Sequence, residues 1–223
     1  MPGPFLADDG AALFLPERFP LRWASAWGED ESGLWMTLEV AEAQQRLRWI
    51  APGRFLMGSP ADERERSDDE VQHEVTLSTG YWLAETACTQ ALWQAVMGDN
   101  PSRFQDDPRN PVEQVSWDDV QRFLGELNRM IPGVDARLPG EAEWEYACRA
   151  GTTTPFSFGK NITPKQVNYD GNYPYAGGAK GLYRQKTVPV GSLPANAWGL
   201  YEMHGNVLEW CADWYGDYPE TPQ

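Results

Sequence analysis

The chain has 223 residues, of which 21 are Gly, 18 are Pro and 11 are Trp, and its formal net charge at pH 7 is −15. This aromatic content argues against disorder, and this number of helix-breaking residues argues against a regular helical bundle. The negative charge repels phosphate backbones and anionic lipids, and no apolar run approaches the ~20 residues of a membrane span. Composition therefore excludes nucleic acid and membranes as expected partners and predicts a loop-rich domain with an aromatic core.

The cysteines and histidines restrict the chemistry further. Cys88, Cys148 and Cys211 are widely spaced and odd in number, which is not the pattern of a disulfide framework. Because the N-terminus also has no basic and apolar signal segment, a cytoplasmic location with reduced thiols is expected. His73 and His204 are too few for a three-histidine metal site, and nucleophile-elbow, phosphate-loop and dinucleotide motifs are absent from the sequence.

The strands are predicted from alternation of apolar and polar residues. Residues 1–40 are interpreted as an N-terminal extension, although residues 35–40 alternate like a strand. Residues 45–50 alternate again, and a Pro-Gly turn leads into a strand at 55–57, so these two strands are predicted to form a hairpin. A further strand is predicted at residues 73–77.

Three helices are predicted from their caps and periodicity. The first follows Thr89 and stops at Gly98, and the third runs from Glu141 to about Ala150. The second is capped by Ser116 and carries one apolar stripe, Val120, Phe123, Leu124, Leu127 and Ile131. After the third helix, the Gly-, Pro- and Asn-rich residues 151–198 predict a long irregular region of the kind that is usually functional or stabilised by an ion.

Four segments carry a family resemblance. Residues 137–147 read RLPGEAEWEYA, and residues 199–210 read GLYEMHGNVLEW. Residues 53–59 read GRFLMGS, and residues 111–117 read PVEQVSW. Together they closely resemble, in the same order, the signature motifs of the formylglycine-generating enzyme, or sulfatase-modifying factor, domain family. The resemblance runs from about residue 46 to 215.

This resemblance implies an α+β fold of the irregular, loop-rich C-type-lectin-like kind, occupying residues 41–223. The family includes oxidases that use copper and oxygen to convert a protein cysteine to formylglycine. It also includes iron-dependent sulfoxide synthases and non-catalytic binding modules such as retroelement variable proteins. Function is thus left open between a relative of the oxidases and a module that binds a protein, peptide or small molecule, with the sulfoxide synthase a distant third.

Departures from the family pattern bear on activity. In the family, the GNVWEW segment is followed by a stretch carrying RGGSW, where the oxidases place their copper-binding cysteine pair, and residues 1–223 do not include it. The domain is therefore expected to be C-terminally incomplete and, as given, inactive. No catalytic residue is assigned, and copper binding is expected only if that stretch is present. Cys148 matches a family disulfide position, but a buried structural thiol is favoured.

The resemblance also implies two structural calcium sites, each combining side-chain and carbonyl oxygens as Ca²⁺ prefers. The residues that match the first site are Glu202, Gly205, Val207 and Glu209. Asn168 and the carbonyl of Tyr169 match half of a second site, whose other half falls near residues 180–183. Asn206 is interpreted as a turn residue, and His204 as structural rather than a ligand contact.

Overall fold

The structure is a computed structural model that describes residues 14–216 and Tyr218. Its elements are short and mixed, which confirms the predicted α+β, loop-rich class. The strands are β1 (Ala26–Asp30), β2 (Gly33–Val40), β3 (Ala43–Ile50), β4 (Gly53–Met57), β5 (His73–Leu77) and β6 (Tyr81–Ala84). The helices are α1 (Gln90–Met97), α2 (Trp117–Met130) and α3 (Glu141–Arg149), and a 3-10 turn spans Tyr175–Gly177.

Two antiparallel sheets organise the strands. The larger sheet has the order β1-β2-β3-β6, and β4 pairs with β5 in a separate ribbon. The predicted hairpin of residues 45–50 with 55–57 is therefore wrong, because β3 pairs with β2 and β6 whereas β4 pairs with β5. The physical reason lies at Gly53, where an added Cβ would lie 2.2 Å from the hydroxyl of Tyr146. β4 packs directly on α3 at this point instead of folding back on β3.

The predicted boundary between residues 40 and 41 falls inside the larger sheet. Val40 and Ala43 are register partners across the tight β2–β3 turn, and Met36 and Leu38 of β2 are buried. Residues 26–40 thus share a sheet with the strands that follow. Residues 1–13 of the predicted extension lie outside the described part of the chain.

The three predicted helices are confirmed, together with their caps. The Thr89 side chain accepts a hydrogen bond from the N–H of Leu92, and Gly98 ends α1 with φ 84°. Ser116 and Asp119 form a reciprocal capping box at the start of α2. These local side-chain bonds satisfy main-chain N–H groups that a helix leaves unpaired at its first turn.

Apolar side chains form two clusters, one on each side of the larger sheet's central strands. The first joins β3 and β6 to α3 and the last signature motif, through Ile50, Tyr81, Tyr146, Ala147, Leu200 and Met203. The second joins β2 to α1 and α2, through Leu38, Val40, Leu92, Trp93, Phe123 and Leu127. Within the described residues, none of the helices has the length and hydropathy of a membrane span.

Candidate functional site

The two long signature motifs meet at Asn196, which is 8 % exposed. Its Nδ2 donates to the carbonyl oxygens of Ala147 and Cys148 at the end of α3, at 2.8 and 3.3 Å. Its Oδ1 accepts from the N–H groups of Trp198 and Leu200, at 3.0 and 3.1 Å. One buried amide therefore joins α3 to the start of residues 199–210, and it satisfies carbonyls that a helix end leaves unpaired.

The first supporting motif, residues 53–59, is held against α3 by charged side chains. The N–H of Gly58 donates to Glu145 Oε1 at 2.9 Å, and Arg149 Nη2 donates to the Gly58 carbonyl at 2.6 Å. Arg149 also pairs with Glu145 at 2.6 Å, so both charges are compensated where they are mostly buried. A mostly buried pair of this kind is stable when its remaining hydrogen-bonding positions are filled, as they are here by the Gly58 main chain.

The second supporting motif, residues 111–117, contacts the end of the last signature. The Trp117 indole N–H donates to the Cys211 carbonyl, and the Trp210 indole N–H donates to the Val115 carbonyl, each at 3.1 Å. All four motifs thus lie together around α3 and the turn at residues 202–207. The order of the motifs along the sequence does not say how far apart they lie, and the structure shows that they are in contact.

Glu202, in the first predicted calcium site, is buried in a tight turn with φ 53°. Its carboxylate accepts N–H bonds from Gly191 at 2.9 Å and Leu193 at 3.1 Å. Burial raises the pKa of Glu202, and these main-chain bonds oppose the rise by favouring the charged form. Both oxygens of the Glu202 carboxylate are therefore bonded to the loop at residues 191–193.

Glu209, the second acid of this site, is an exposed residue that lines a partly open cavity of about 410 Å³. Its Oε2 accepts the indole N–H of Trp144 at 3.0 Å. Burial raises the pKa of Glu209, and the charge of Glu202 adds to the rise. Within the described residues, neither acid forms an ion pair. The two carboxylates are close enough for the charge of Glu202 to affect the titration of Glu209.

Gly205 and Val207 lie in the same turn as Glu202. An added Cβ at Gly205 would lie 2.6 Å from the Asn168 carbonyl oxygen, so the turn packs directly on the backbone of the second predicted site. Val207 is half-buried one position beyond Asn206, whose φ is 73°. The turn of the first predicted site therefore contacts Asn168 of the second.

Asn168 and Asn206 connect the two predicted sites through an amide network. Asn168 Nδ2 donates to Asn206 Oδ1 at 3.0 Å and to the Lys186 carbonyl at 2.9 Å. Asn206 Oδ1 also accepts from the N–H of Val188, and its Nδ2 donates back to the Val188 carbonyl. The Oδ1 of Asn168 accepts no hydrogen bond from the described residues, which leaves this oxygen available to a cation.

Residues 180–183 do approach the second predicted site. Asp170 and Tyr183 form an isolated antiparallel bridge, and the N–H of Gly181 donates to the Gly171 carbonyl at 2.8 Å. Tyr169 lies directly before this bridge. Within the described residues, however, no group of three His, Cys, Asp or Glu side chains is close enough to hold a metal ion. Any cation here must therefore take carbonyl or amide oxygens as well as carboxylates.

The three cysteines are free thiols in separate surroundings. Cys88 packs on the cluster of α1 and α2, whereas Cys148 belongs to the cluster of α3. Burial raises the pKa of both thiols to about 12 and that of Cys211 to about 11. A thiol with such a pKa is not a thiolate at neutral pH, and the thiolate is the metal-binding and nucleophilic form.

His204 is held inside the signature turn. Its Nε2 lies 2.9 Å from the N–H of Ser157, which donates to it, and its Nδ1 lies 3.6 Å from the sulfur of Cys148. Burial and the nearby Arg149 lower the pKa of His204 to about 4. The ring is thus a neutral acceptor that positions the Ser157 main chain, and motif reading gave no signal for this contact or for the role of Asn196.

Comparison with known proteins identifies the class. The sulfatase-modifying factor enzyme 1-like domain matches residues 35–223, and the chain belongs to this family. Chaperone protein LppX of Paenibacillus barcinonensis is 33 % identical over 194 residues, which cover 67 % of each chain. The formylglycine-generating enzyme of Bos taurus is 36 % identical over 166 residues, 72 % of this chain and 40 % of that protein.

Solved structures share the fold. The Treponema denticola variable protein 1 superposes with a TM-score of 0.67 at 28 % identity, covering 85 % of this chain and 81 % of that chain. PvdO from Pseudomonas aeruginosa superposes with a TM-score of 0.63 at 29 % identity, covering 87 % and 77 %. The chain spans less than half the length of the formylglycine-generating enzymes that it matches, for example 46 % of the one from Thermomonospora curvata.

Proposed function

We propose that residues 35–223 form a binding domain of the sulfatase-modifying factor family that holds a protein, peptide or small molecule and does not itself generate formylglycine. The observation that supports this is the state of the cysteines. Cys88 and Cys148 belong to different core clusters, and all three thiols have raised pKa values. The chain thus offers no close thiolate pair of the kind that the oxidases of the family use for copper.

Incubation with copper, oxygen and a peptide carrying the sulfatase motif tests this directly. We expect mass spectrometry to find no aldehyde on the peptide cysteine. The formylglycine-generating enzyme of Thermomonospora curvata, run in parallel, is the positive control. Aldehyde formed by this chain above the copper-only background would contradict the proposal.

A second candidate is an oxidase whose copper-binding cysteines lie beyond residue 223. The names of the relatives and the short share of their length that this chain covers favour it. Reading the coding frame past residue 223 is the first test. A continuation carrying RGGSW and a close cysteine pair, followed by aldehyde formation by the longer chain, would support the oxidase. A continuation without cysteines would support the binding domain.

A structural calcium site at Glu202, Gly205, Val207 and Glu209 is part of the same proposal. Its support is that neither Glu202 nor Glu209 forms an ion pair within the described residues, that the charge of Glu202 raises the pKa of Glu209, and that one tight turn carries Glu202, Gly205 and Val207. A ligand at 100 times its Kd stabilises the folded state by about 2.7 kcal/mol. Asn168 and Tyr169 are proposed for a second site on the weaker support of one available amide oxygen.

Thermal unfolding in CaCl₂, MgCl₂ and EDTA tests the calcium site. We expect Ca²⁺ to raise the Tm relative to EDTA and Mg²⁺ to have a smaller effect. Glu209→Gln should remove the Ca²⁺ response, whereas Glu126→Gln on the exposed face of α2 should keep it. An equal Tm in CaCl₂ and EDTA would count against the site.

We also propose that the fold is of the C-type-lectin-like kind and that the protein is located in the cytoplasm. Three free cysteines, with no disulfide among them, favour a reducing compartment. Immunoblotting of cytoplasmic, membrane and secreted fractions checks the location. Detection of the chain mainly in the secreted fraction would contradict it.

A further inference from the structure

The cations of the chain are unevenly distributed. All four of its lysines lie between residues 160 and 186. Within residues 151–200, these lysines and Arg184 make five cations against a single acid, Asp170, which gives this stretch a formal charge of +4. The whole chain nevertheless has a formal charge of −15. The stretch is therefore a positive part of an otherwise acidic protein, and it attracts anions locally.

Contacts between two segments of this stretch bring lysines together. An added Cβ at Gly181 would lie 2.7 Å from Pro164 Cγ, and Arg184 Nη2 donates to the Pro164 carbonyl at 2.7 Å. An added Cβ at Gly178 would lie 2.9 Å from Asn161 Nδ2. The two segments are thus in direct contact. The lysines that adjoin these contact residues in the sequence are Lys160, Lys165 and Lys180.

These three lysines carry uncompensated charge. All three are exposed, and within the described residues none of them forms an ion pair. The fourth lysine, Lys186, does pair, with Asp106. Asp170 instead accepts hydrogen bonds from the N–H and the Nδ2 of Asn172. In a chain with 33 acidic residues, three neighbouring lysines are therefore left without a carboxylate partner.

Apolar side chains are exposed on the same part of the chain. Tyr173 is 81 %, Leu182 is 60 % and Tyr183 is 43 % exposed. Asp170 and Tyr183 form an antiparallel bridge, so the two strands of chain that carry these side chains are paired. Tyrosine combines a large apolar ring with a polar hydroxyl, which is why it is enriched at protein interfaces. We define the basic surface as Lys160, Lys165, Tyr173, Lys180, Leu182 and Tyr183.

Acidic residues limit the extent of the basic surface. The N–H of Ala176 donates to Glu65 Oε1 at 2.9 Å, and the Tyr175 hydroxyl donates to the Arg64 carbonyl at 2.8 Å. Residues 61–70, which include six acids and two arginines, therefore border it. A long polyanion would extend onto this acidic run and be repelled, whereas a short anionic segment would not.

We propose that the basic surface binds a short acidic segment of a partner protein, in which Asp or Glu residues flank an aromatic or aliphatic side chain. Its carboxylates pair with the lysines, and its apolar side chain packs on the exposed tyrosines and leucine. The inference rests on the proposed binding function and names the chemistry of the partner. Lysine side chains donate but do not accept hydrogen bonds, so they are not ligands of the proposed calcium sites.

The direct test is fluorescence anisotropy with the labelled peptide EEYEELE, amidated at its C-terminus. We expect the neutral counterpart QQYQQLQ to bind at least ten-fold more weakly, and the affinity of EEYEELE to fall when NaCl is raised from 50 to 300 mM. The peptide EEAEEAE, which keeps the charge and lacks the apolar side chains, should bind at least three-fold more weakly than EEYEELE. Inorganic phosphate and an oligothymidylate, as other anions, should compete less well than unlabelled EEYEELE.

Variants of the protein give the matching test. The first variant neutralises the lysines of the basic surface together, as Lys160→Gln, Lys165→Gln and Lys180→Gln. Its control removes the same charge from exposed arginines on β4, on the loop between α1 and α2, and on α2, as Arg54→Gln, Arg103→Gln and Arg129→Gln. We expect the lysine variant to bind EEYEELE at least ten-fold more weakly and the control to bind it within three-fold of the wild type. Equal Tm values would confirm that both variants fold.

Several results would overturn the proposal. They are an absence of EEYEELE binding at 1 mM peptide in 50 mM NaCl, equal binding of QQYQQLQ or EEAEEAE, and equal losses in the two variants. Tighter binding of phosphate or the oligothymidylate would assign the surface to another anion. Loss of peptide binding in a chain extended to the end of its coding frame would assign it to the chain's own continuation. Aldehyde formed in the copper assay would contradict the proposed function alone, because that assay does not report on these lysines.

Discussion

The sheet-and-helix region, residues 26–150, and the loop region, residues 151–216, are stabilised in different ways. The first buries apolar side chains between regular elements whose main-chain groups pair in ladders and helices. The second has a single 3-10 turn among its described residues, and polar side chains bond its main chain instead. Asn196, Glu202 and Asn206 each serve several main-chain groups of the loop region.

The difference predicts two kinds of sensitivity to substitution. An apolar core adapts to changes that conserve volume, because dispersion contacts are individually small and numerous. A buried polar side chain with several partners has no substitute of another type, since each partner left unpaired costs free energy. The candidate calcium residues lie in the region where polar side chains, rather than apolar burial, order the backbone.

The largest expected effect is at Asn196. Asn196→Ala leaves the carbonyls of Ala147 and Cys148 and two N–H groups without partners in a buried place. At about 1–3 kcal/mol for each unsatisfied group, with partial relaxation, the free energy of unfolding should fall by about 4 kcal/mol. Urea unfolding followed by tryptophan fluorescence measures it. Asn172→Ala, at an exposed asparagine that bonds Asp170, should cost less than about 0.5 kcal/mol.

The next effect tests the sheet-and-helix region. Leu92 of α1 is 2 % exposed and packs in the cluster with Trp93 and Phe123. Leu92→Ala should lower the free energy of unfolding by about 3 kcal/mol, because it removes buried apolar contacts and leaves a cavity. Leu92→Met should cost less than about 1.5 kcal/mol. If the methionine variant were as unstable as the alanine variant, the distinction between adaptable and non-adaptable regions would fail here.

Much of the sheet-and-helix region was predictable, because its signals are local. The side chains of Thr89 and Ser116 accept hydrogen bonds from N–H groups within the first turn of each helix. The residues that predict where α1 and α2 begin therefore also pair main-chain groups of the first turn. The pairing of β4 with β5 was not predictable from alternation, because the deciding contact joins Gly53 to Tyr146, far along the chain. Alternation identifies a strand but does not specify its partner.

The candidate site was predictable in its residue types rather than in its geometry. The motif match selected Glu202 and Glu209, but it gave no sign that the loop at residues 191–193 bonds the Glu202 carboxylate. Asn196 lies just outside the quoted motif, and its four partners come from two separate segments. No pattern in the sequence predicts the cavity beside β6, because residues from several separate elements line it.

A matched pair of glycine substitutions sharpens the comparison at smaller magnitude. Gly205→Ala would place a Cβ 2.6 Å from the Asn168 carbonyl oxygen and 2.7 Å from Val167 Cγ1. Overpacking of this kind should cost about 2 kcal/mol. Thermal and urea unfolding measure it. Unchanged stability would mean that the turn at residues 202–207 is not as tightly packed as the contacts indicate.

Gly125→Ala in α2 should have the opposite sign. No atom lies within 4 Å of an added Cβ there, and glycine inside a helix is less favourable than alanine. We expect stabilisation by about 0.5–1 kcal/mol in the same unfolding measurement. Destabilisation at Gly125 would show that α2 is packed against a surface that the described residues do not include.

The smallest expected effect concerns acid and the start of α2. Hydrogen bonds from the Ser116 side chain and main chain, together with Arg122, lower the pKa of Asp119 to about 2 from its usual 3.8. The unfolded chain therefore binds this proton at higher pH than the folded chain does. The stabilisation is fully present above pH 3.8 and is lost as the pH falls toward 2.

Asp119→Asn isolates this contribution from the other carboxylates that titrate in the same range. The variant should be less stable than the wild type at pH 6, and the difference between them should shrink as the pH falls from 5 to 2. Asp118→Asn, in the same first turn, is the matched control and should show a smaller change. Unfolding at each pH, followed by circular dichroism at 222 nm, measures the three curves. A difference in stability that stays constant with pH would mean that the side chain of Asp119 stabilises the start of α2 as a neutral hydrogen-bonding group rather than through its charge.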